Sequence, residues 1–459
     1  MGACSQKKIR TFAILFLMKK KKILMIAYYF PPFGGVPVQR TIKFIKYLLR
    51  YEWTPVVLTA REGHDHFHPN DYSLLSKISD KVEVRRTRGI DINTKIIKFL
   101  RSKAHIRSKK ISKDGGFSNK TVKLRKLLYN SLWFPDEKNY WIPGAIISGL
   151  RILVDGNIKI IYVSGFPWSA FFVGAFLSMV KRIPLVLDYR DSWTLYPRGF
   201  WDNRFHMFWE SIVLRQASKV IFVTNSMHKG YIERYPWIDR KKFVTITNGF
   251  DQENFIGFKA DNRKKDKLLI TYTGTFNDNV PPLDIDRNPY YFIKALSTLL
   301  EEHDVSNSLR VRFVGNFGEN NTNLIKTLGL DNIIELTGSV SHDECIKYQM
   351  ETDILLLIIY PCKQTTVPDL SGKLLEYIGA RKPILALVPD CEARDLIVKE
   401  RLGKTVWPKD IDGIKEAIFT LYKDWKQNKL RIEGNDYVYE KYEMRALTKK
   451  LVETIEDIT

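Results

Sequence analysis

The stretch Pro368-Asp-Leu-Ser-Gly-Lys-Leu-Leu-Glu376-Tyr-Ile-Gly-Ala-Arg-Lys-Pro-Ile-Leu-Ala-Leu387 reads as a loop, a short amphipathic helix, a turn from Gly379 to Pro383 and a buried strand. Ser371 and Gly372 stand where the helix begins, so unpaired backbone N–H groups gather a partial positive charge there. Lys373 adds a full charge in the first turn, where the helix dipole favours an anion; a bound phosphate would offset that cost. Glu376 follows three residues later, on the same side and one turn deeper. A cation for a diphosphate and a carboxylate for a ribose hydroxyl, one turn apart, suit a nucleotide. An ordinary capped helix with an intrahelical Lys–Glu pair has the same letters, so the stretch alone leaves both readings open.

Working outward, strand-like runs alternate with helical ones. Ile23 to Tyr28 is an apolar run, followed by the turn Pro31-Pro-Phe-Gly-Gly35 and helical spacing from Gln39 to Leu49. Strands are expected at Pro55 to Thr59, Val82 to Arg85, Ile158 to Val163, Leu185 to Leu187, Val220 to Val223 and Val244 to Ile246. The rhythm restarts after the polar stretch Gly257 to Lys267. New strands are expected at Leu268 to Tyr272, Arg310 to Val314, Ile333 to Leu336, Ile354 to Ile359 and Pro383 to Leu387. Alternation of this kind predicts parallel sheets covered by helices on both faces. The expected division is an extension at 1–22, a first domain at 23–250, a linker at 251–267, a second domain at 268–425 and closing helices at 426–459 that pack back toward the first domain.

A chain of 459 residues exceeds one core, and its 44% apolar share is that of a globular protein. Four scattered cysteines (Cys4, Cys345, Cys362, Cys391) give neither a disulfide framework nor a zinc pattern, as in a reducing cytosol. With 73 basic and 51 acidic residues, the net charge of +22 calls for an anionic partner. About a dozen lysines and arginines against one acid, Asp114, lie between Lys95 and Lys126. Such a block is either a solvated, mobile segment or a contact with an anionic membrane surface. The aromatics of Trp133 to Trp141 suit a membrane interface or a core equally. No helix-turn-helix, zinc-finger or aromatic RNA-binding pattern accompanies the charge, so nucleic acid is not expected. The run Phe12 to Met18 lacks a cleavage site and Gln6 spoils a myristoylation signal, while Met18 looks like a natural start, leaving residues 1–17 outside the fold.

Two further constellations lie at strand ends. Gly34 and Gly35 follow the first strand and precede the helix with Gln39 and Arg40, where backbone can approach a phosphate; a plain turn is the simpler alternative. The spacing is not G-x-G-x-x-G, so a nicotinamide or flavin is not expected. Asp188-Tyr-Arg-Asp-Ser-Trp193 ends the strand Leu185 to Leu187. Its carboxylates flank Arg190 and could orient an acceptor hydroxyl, or form a structural ion-pair network. Asp188-x-x-Asp191 is not a D-x-D metal motif, and nothing else resembles a magnesium cage.

Together these segments resemble a family 4 glycosyltransferase of the GT-B fold, in the branch that builds bacterial surface polysaccharides. The resemblance rests on Ile26 to Gly35, Asp188 to Trp193, Val223-Thr-Asn-Ser226, Ile246-Thr-Asn-Gly-Phe-Asp251, Thr273-Gly-Thr-Phe276 and Ser371 to Leu387, and covers nearly everything beyond Lys22. It implies an α/β architecture of two Rossmann-like doubly wound domains facing across a cleft. It implies that Glu376 holds the nucleotide ribose as the second glutamate of the E-x7-E element, and that Ser371, Gly372 and Lys373 meet the diphosphate. Arg287 falls where the family usually has a phosphate-binding lysine, Val340 where a residue lines the base pocket, and Gly34 and Gly35 on the loop facing the donor. Three departures bear on sugar recognition and catalysis. Pro368 replaces the first glutamate, Thr275 stands where an arginine is common, and Gly165-Phe-Pro-Trp168 occupies the region of the usual cleft histidine.

The resulting expectation is an enzyme moving a hexose or N-acetylhexosamine from a UDP- or GDP-sugar to a lipid-linked oligosaccharide, with retention, no metal and no cofactor. Asp191 is expected to contact the acceptor, with Asp188 and Arg190, grouped with it as catalytic, shaping the loop. The expected place is the cytoplasm, peripheral at the inner face of the membrane. A sugar-nucleotide epimerase and a non-catalytic scaffold are the alternatives.

Overall fold

The computed structural model describes residues 21–61, 70–89, 134–195, 203–258, 266–276, 278, 288–360 and 370–459. Among these, two parallel sheets account for all named strands. The first has the order β3-β2-β1-β4-β5-β6-β7, with β1 (Lys21–Ala27), β2 (Trp53–Ala60), β3 (Glu83–Thr87), β4 (Ile158–Gly165), β5 (Leu185–Tyr189), β6 (Lys219–Phe222) and β7 (Phe243–Thr245). The second has the order β10-β9-β8-β11-β12-β13, with β8 (Leu268–Thr273), β9 (Leu309–Val314), β10 (Ile334–Gly338), β11 (Ile354–Ile358), β12 (Ile384–Leu387) and β13 (Gly403–Val406). The two Rossmann-like halves expected from the sequence are thus present. The runs β1, β5 and β11 are apolar without alternation because helices bury both of their faces.

Strand order reverses between β1 and β4 in the first sheet and between β8 and β11 in the second. At such a switch point neighbouring connections leave in opposite directions, and the strands' carboxyl ends open a crevice. The helices that follow those ends are α1 (Val36–Leu48), α3 (Ser169–Lys181), α4 (Arg204–Gln216) and α5 (Asn225–Arg234) in the first half, with α2 (Ile142–Asp155) preceding β4. In the second half they are α6 (Tyr290–Glu302), α7 (Glu319–Thr327), α8 (His342–Glu351), α9 (Gly372–Ala380), α10 (Glu392–Lys399) and α11 (Ile411–Lys426).

The chain crosses between halves twice, side by side. Phe250 N–H donates to the Tyr442 carbonyl at 3.1 Å, and Met444 N–H donates to the Phe250 carbonyl at 2.9 Å. Between α12 (Asp436–Tyr442) and α13 (Met444–Glu456) the chain therefore returns to the first half. There Met444, Leu447, Leu451 and Ile455, spaced for one helix face, join the core around β1 to β7. Asp251, almost fully buried, closes the outward crossing by accepting from Lys46 at 2.5 Å and Tyr47 at 2.7 Å. The first crossing thus lies just ahead of the polar stretch the sequence suggested.

One local expectation needs correction. The turn anticipated from Gly379 begins later: α9 continues to Ala380, and Arg381 takes the left-handed conformation. Gly379 serves close packing instead, because a Cβ there would lie 2.7 Å from the Phe250 ring.

Candidate functional site

On the second half, Leu374, Leu375, Tyr377 and Ile378 bury one face of α9 and turn Lys373 and Glu376 the other way. Ser371 caps the helix, its Oγ accepting from Leu374 N–H at 3.3 Å. The first-turn N–H groups of Gly372 and Lys373 have no intrahelical acceptor. Among the described residues, a Cβ at Gly372 would meet nothing within 4 Å. Lys373 reaches back over the carboxyl end of β8: its Nζ donates to Tyr272 Oη at 2.7 Å and sits 4.4 Å from that ring's centroid. Gly274, at φ 133, clears the way, since a Cβ there would stand 2.1 Å from Lys373 Nζ. The lysine's charge is therefore held at the strand end, beside the start of α9.

Glu376, with 21% of its side chain exposed, shares a hydrogen bond at 3.0 Å with His342 Nε2. Burial alone would raise its carboxyl. The hydrogen bond and charge of His342 with the charge of Lys43 outweigh that and bring it down to about 2. Lys43 comes from α1 of the first half, where its Nζ donates to the Gly249 carbonyl at 3.1 Å. Glu376 is thus an ionised acceptor held by His342, with the charge of Lys43 acting on it from the first half. His342 escaped the sequence reading, although Ser341-His-Asp-Glu344 forms a capping box that places residue 342 at the first position of α8. Val340, half-buried, lies in the loop between β10 and α8, two residues before His342. Arg287 lies outside the described residues, as do Pro368, residues 1–17 and the basic segment from Lys95 to Lys126.

On the first half, Gly34 is buried and Gly35 caps α1 with φ 84, followed by Pro37 in the first turn. The Asp188 to Trp193 segment separates into unlike parts. Asp188 has no exposure. Arg40 grips both its oxygens, Nε to Oδ2 at 2.8 Å and Nη2 to Oδ1 at 2.9 Å, and Tyr162 Oη donates to Oδ2 as well. Arg190 spends its guanidinium on backbone carbonyls: Nε on Gly165 at 3.0 Å, Nη1 on Pro37 at 2.9 Å and Nη2 on Phe166 at 2.6 Å. Asp188, grouped with the catalytic residues, has no surface to offer an acceptor, and the Arg190 guanidinium is committed to backbone carbonyls that hold the loop. Asp191 is exposed and makes no hydrogen bond among the described residues.

Beneath this loop lies a buried network that the sequence did not signal. Trp193 N–H donates to Tyr231 Oη at 2.9 Å, and Trp193 Nε1 to His206 Nδ1 at 3.1 Å. Glu210 accepts from Tyr231 and Tyr235, each at 2.6 Å. Burial pushes the Glu210 carboxyl up, and those hydroxyls pull it back.

The two halves meet at strand ends. Lys77 pairs with Asp343 at 2.8 Å. Glu392, at the start of α10, accepts from Asn225 Nδ2 at 2.9 Å, Ser226 N–H at 3.1 Å and Ser226 Oγ at 3.0 Å. A carboxylate of one half thus caps a helix of the other. A cavity of about 340 Å³ between α2 and the edge at β3, lined by Lys22, Arg85, Arg86 and Arg151, includes none of the cleft residues. Among the described residues no three His, Cys, Asp or Glu side chains converge as metal ligands.

Family models match both halves: Glycosyl transferase 4-like domain over residues 122–249, and Glycosyl transferases group 1 over residues 270–424, together more than half of the chain. The chain belongs to the family 4-like GT-B glycosyltransferases. Solved structures agree on the fold. HepE from Anabaena, solved with UDP, aligns with TM-score 0.61 at 14% identity, over 95% of this chain and 100% of its own. A glycosyltransferase from Rickettsia africae gives 0.58 at 15%, over 96% and 99%. TarM of S. aureus, solved with UDP, fondaparinux and an α-GlcNAc-glycerol, gives 0.54 at 11%, over 95% and 99%. No curated protein matched the chain.

Proposed function

We propose that this glycosyltransferase moves a hexose or N-acetylhexosamine from a UDP- or GDP-sugar to a lipid-linked glycan acceptor in cell-surface polysaccharide synthesis. The observation that carries the donor assignment is the pair Lys373 and Glu376, one turn apart at the cleft, with Glu376 held ionised by His342. In this reading ribose hydroxyls donate to Glu376. The diphosphate lies against the first turn of α9 and Lys373, and the base reaches toward Val340. Gly34 and Gly35 present α1 from the opposite side. HepE and TarM, each solved with UDP, support a nucleotide sugar as donor.

Transfer then proceeds with retention. The bond from the anomeric carbon to the diphosphate oxygen breaks, its electron pair stays on that oxygen, and the acceptor hydroxyl bonds to the same face. The hydroxyl proton passes to the leaving phosphate. Fixed positive charge in a cleft sheltered from water stabilises the charge that develops there, without a metal. Asp191 holds the acceptor hydroxyl, while Arg190 and the Arg40–Asp188 pair keep its loop in place. The enzyme works in the cytoplasm at the inner face of the membrane; no described helix is long and apolar enough to cross one.

Turnover assays with Lys373→Ala and Glu376→Ala test the assignment. Each should lower kcat/KM by roughly ten- to a hundredfold, as expected for losing a charged hydrogen bond. Full turnover in both variants would refute it.

A further inference from the structure

The surface formed by α3 and α4 is built unlike the outside of an ordinary amphipathic helix pair. In α3 the inward residues Phe171, Val173 and Leu177 are buried, yet Phe176, Met179 and Val180 on the outside are apolar too. In α4, Val213 and Leu214 point inward while Phe205, Phe208 and Ile212 are exposed. Met179 and Phe208 have 60% and 59% exposure, far from a core. The seam between the helices is filled: Phe172 and Trp209 have centroids 5.9 Å apart, and Phe134 lies 4.9 Å from Phe205. The exposed groups therefore belong to one surface. An apolar surface of this continuity marks an interaction site.

Charge selects the partner. Lys181, Arg182, Arg204 and Arg215 are all exposed on or beside these helices. The one acid in either helix, Glu210, is buried beneath Tyr231 and Tyr235. Among the described residues, α3 and α4 thus offer apolar side chains and cations without an exposed carboxylate of their own. A second copy of the chain would set these cations against their own kind across a two-fold axis, with no acid to pair them. An anionic bilayer accommodates both features, burying aromatics at headgroup depth and attracting the flanking cations. The net charge of +22 acts in the same direction.

We infer that the α3–α4 face docks the protein on a bilayer containing anionic lipid. The location gives docking a use. Phe172 also packs 6.0 Å from Trp193, in the loop that carries Asp191, so the face adjoins the acceptor side of the cleft. A lipid-linked acceptor anchored in that bilayer would present its glycan to the loop. This use rests on the proposed lipid-linked acceptor; the docking itself does not.

Co-sedimentation of the full chain with vesicles of phosphatidylcholine, with and without about 30% phosphatidylglycerol, tests the inference. Binding is expected to the anionic vesicles only and to weaken with salt. The pair Met179→Asp/Phe208→Asp should lower it at least roughly tenfold, through lost apolar burial. Lys181→Ser/Arg215→Ser should cost roughly fivefold per cation. Thermal melting and UDP affinity of both variants should match the parent, which separates lost docking from unfolding. Absence of vesicle binding by the parent chain, or binding unchanged in both variants, would overturn the inference. So would a concentration-dependent dimer abolished by Met179→Asp/Phe208→Asp, which would make the face an interface between copies. Failure of the donor assignment would instead appear as lost nucleotide affinity with vesicle binding intact.

Discussion

Glu376 and Asp188 are both carboxylates near the cleft, but their surroundings give them opposite uses. Glu376 is partly open and engaged by one histidine, which leaves capacity for a ligand. Asp188 is closed off and saturated by Arg40 and Tyr162. The Glu376 carboxyl lies at about 2, below its ordinary value. A depressed acid stabilises the fold fully above its unfolded pKa, near 4.3, and loses that contribution as pH falls through the folded value. The stability gap between the parent and Glu376→Gln, measured by urea unfolding, should therefore narrow as pH falls from about 5 toward about 2. Removing Arg40 strands a buried charge, so Arg40→Ala should cost about 3–5 kcal/mol, against near silence for Asp191→Asn. Asp191→Asn should instead lower kcat while leaving nucleotide affinity unchanged, as titration of both variants with UDP would report. The letters Asp188-Tyr-Arg-Asp191 alone do not carry this distinction, because it depends on Arg40, 148 residues away in sequence.

Elements were more legible than side-chain roles. Apolar runs such as Ile354 to Ile359 announced β11 because parallel strands buried on both faces suppress alternation. Gly403–Val406 escaped notice: Gly-Lys-Thr-Val is short, only partly buried and at a sheet edge, so it lacks an apolar signature. The pairing of Glu392 with the start of α5 was hidden for a different reason. Each partner resembles an ordinary helix-start residue, and only the relative placement of two halves makes one cap the other. Loss of a cap costs about 1 kcal/mol, equivalent to roughly a fivefold shift in an equilibrium. Glu392→Ala should accordingly loosen contact between the halves. Hydrogen exchange at the Ser226 amide should accelerate about fivefold, with the amides of β8 unchanged; equal acceleration in both would mean global destabilisation instead.

For the whole molecule, function depends on two sheets turned carboxyl end to carboxyl end. The paired crossings at Phe250 and Met444, and the seating of α13 in the first core, keep them in register. That arrangement brings Lys43 of one half within electrostatic reach of Glu376 in the other. In the proposed donor site, nucleotide binding is then a property of both halves, not of the second alone. The most direct measurement is calorimetric titration of the purified chain with UDP, GDP, ADP and CMP, with and without EDTA, for the parent and Glu376→Ala. UDP or GDP should bind selectively, EDTA should leave the affinity unchanged, and Glu376→Ala should weaken it at least roughly tenfold. Binding of none of the four, or equal binding by Glu376→Ala, would contradict the assignment of this cleft as the donor site.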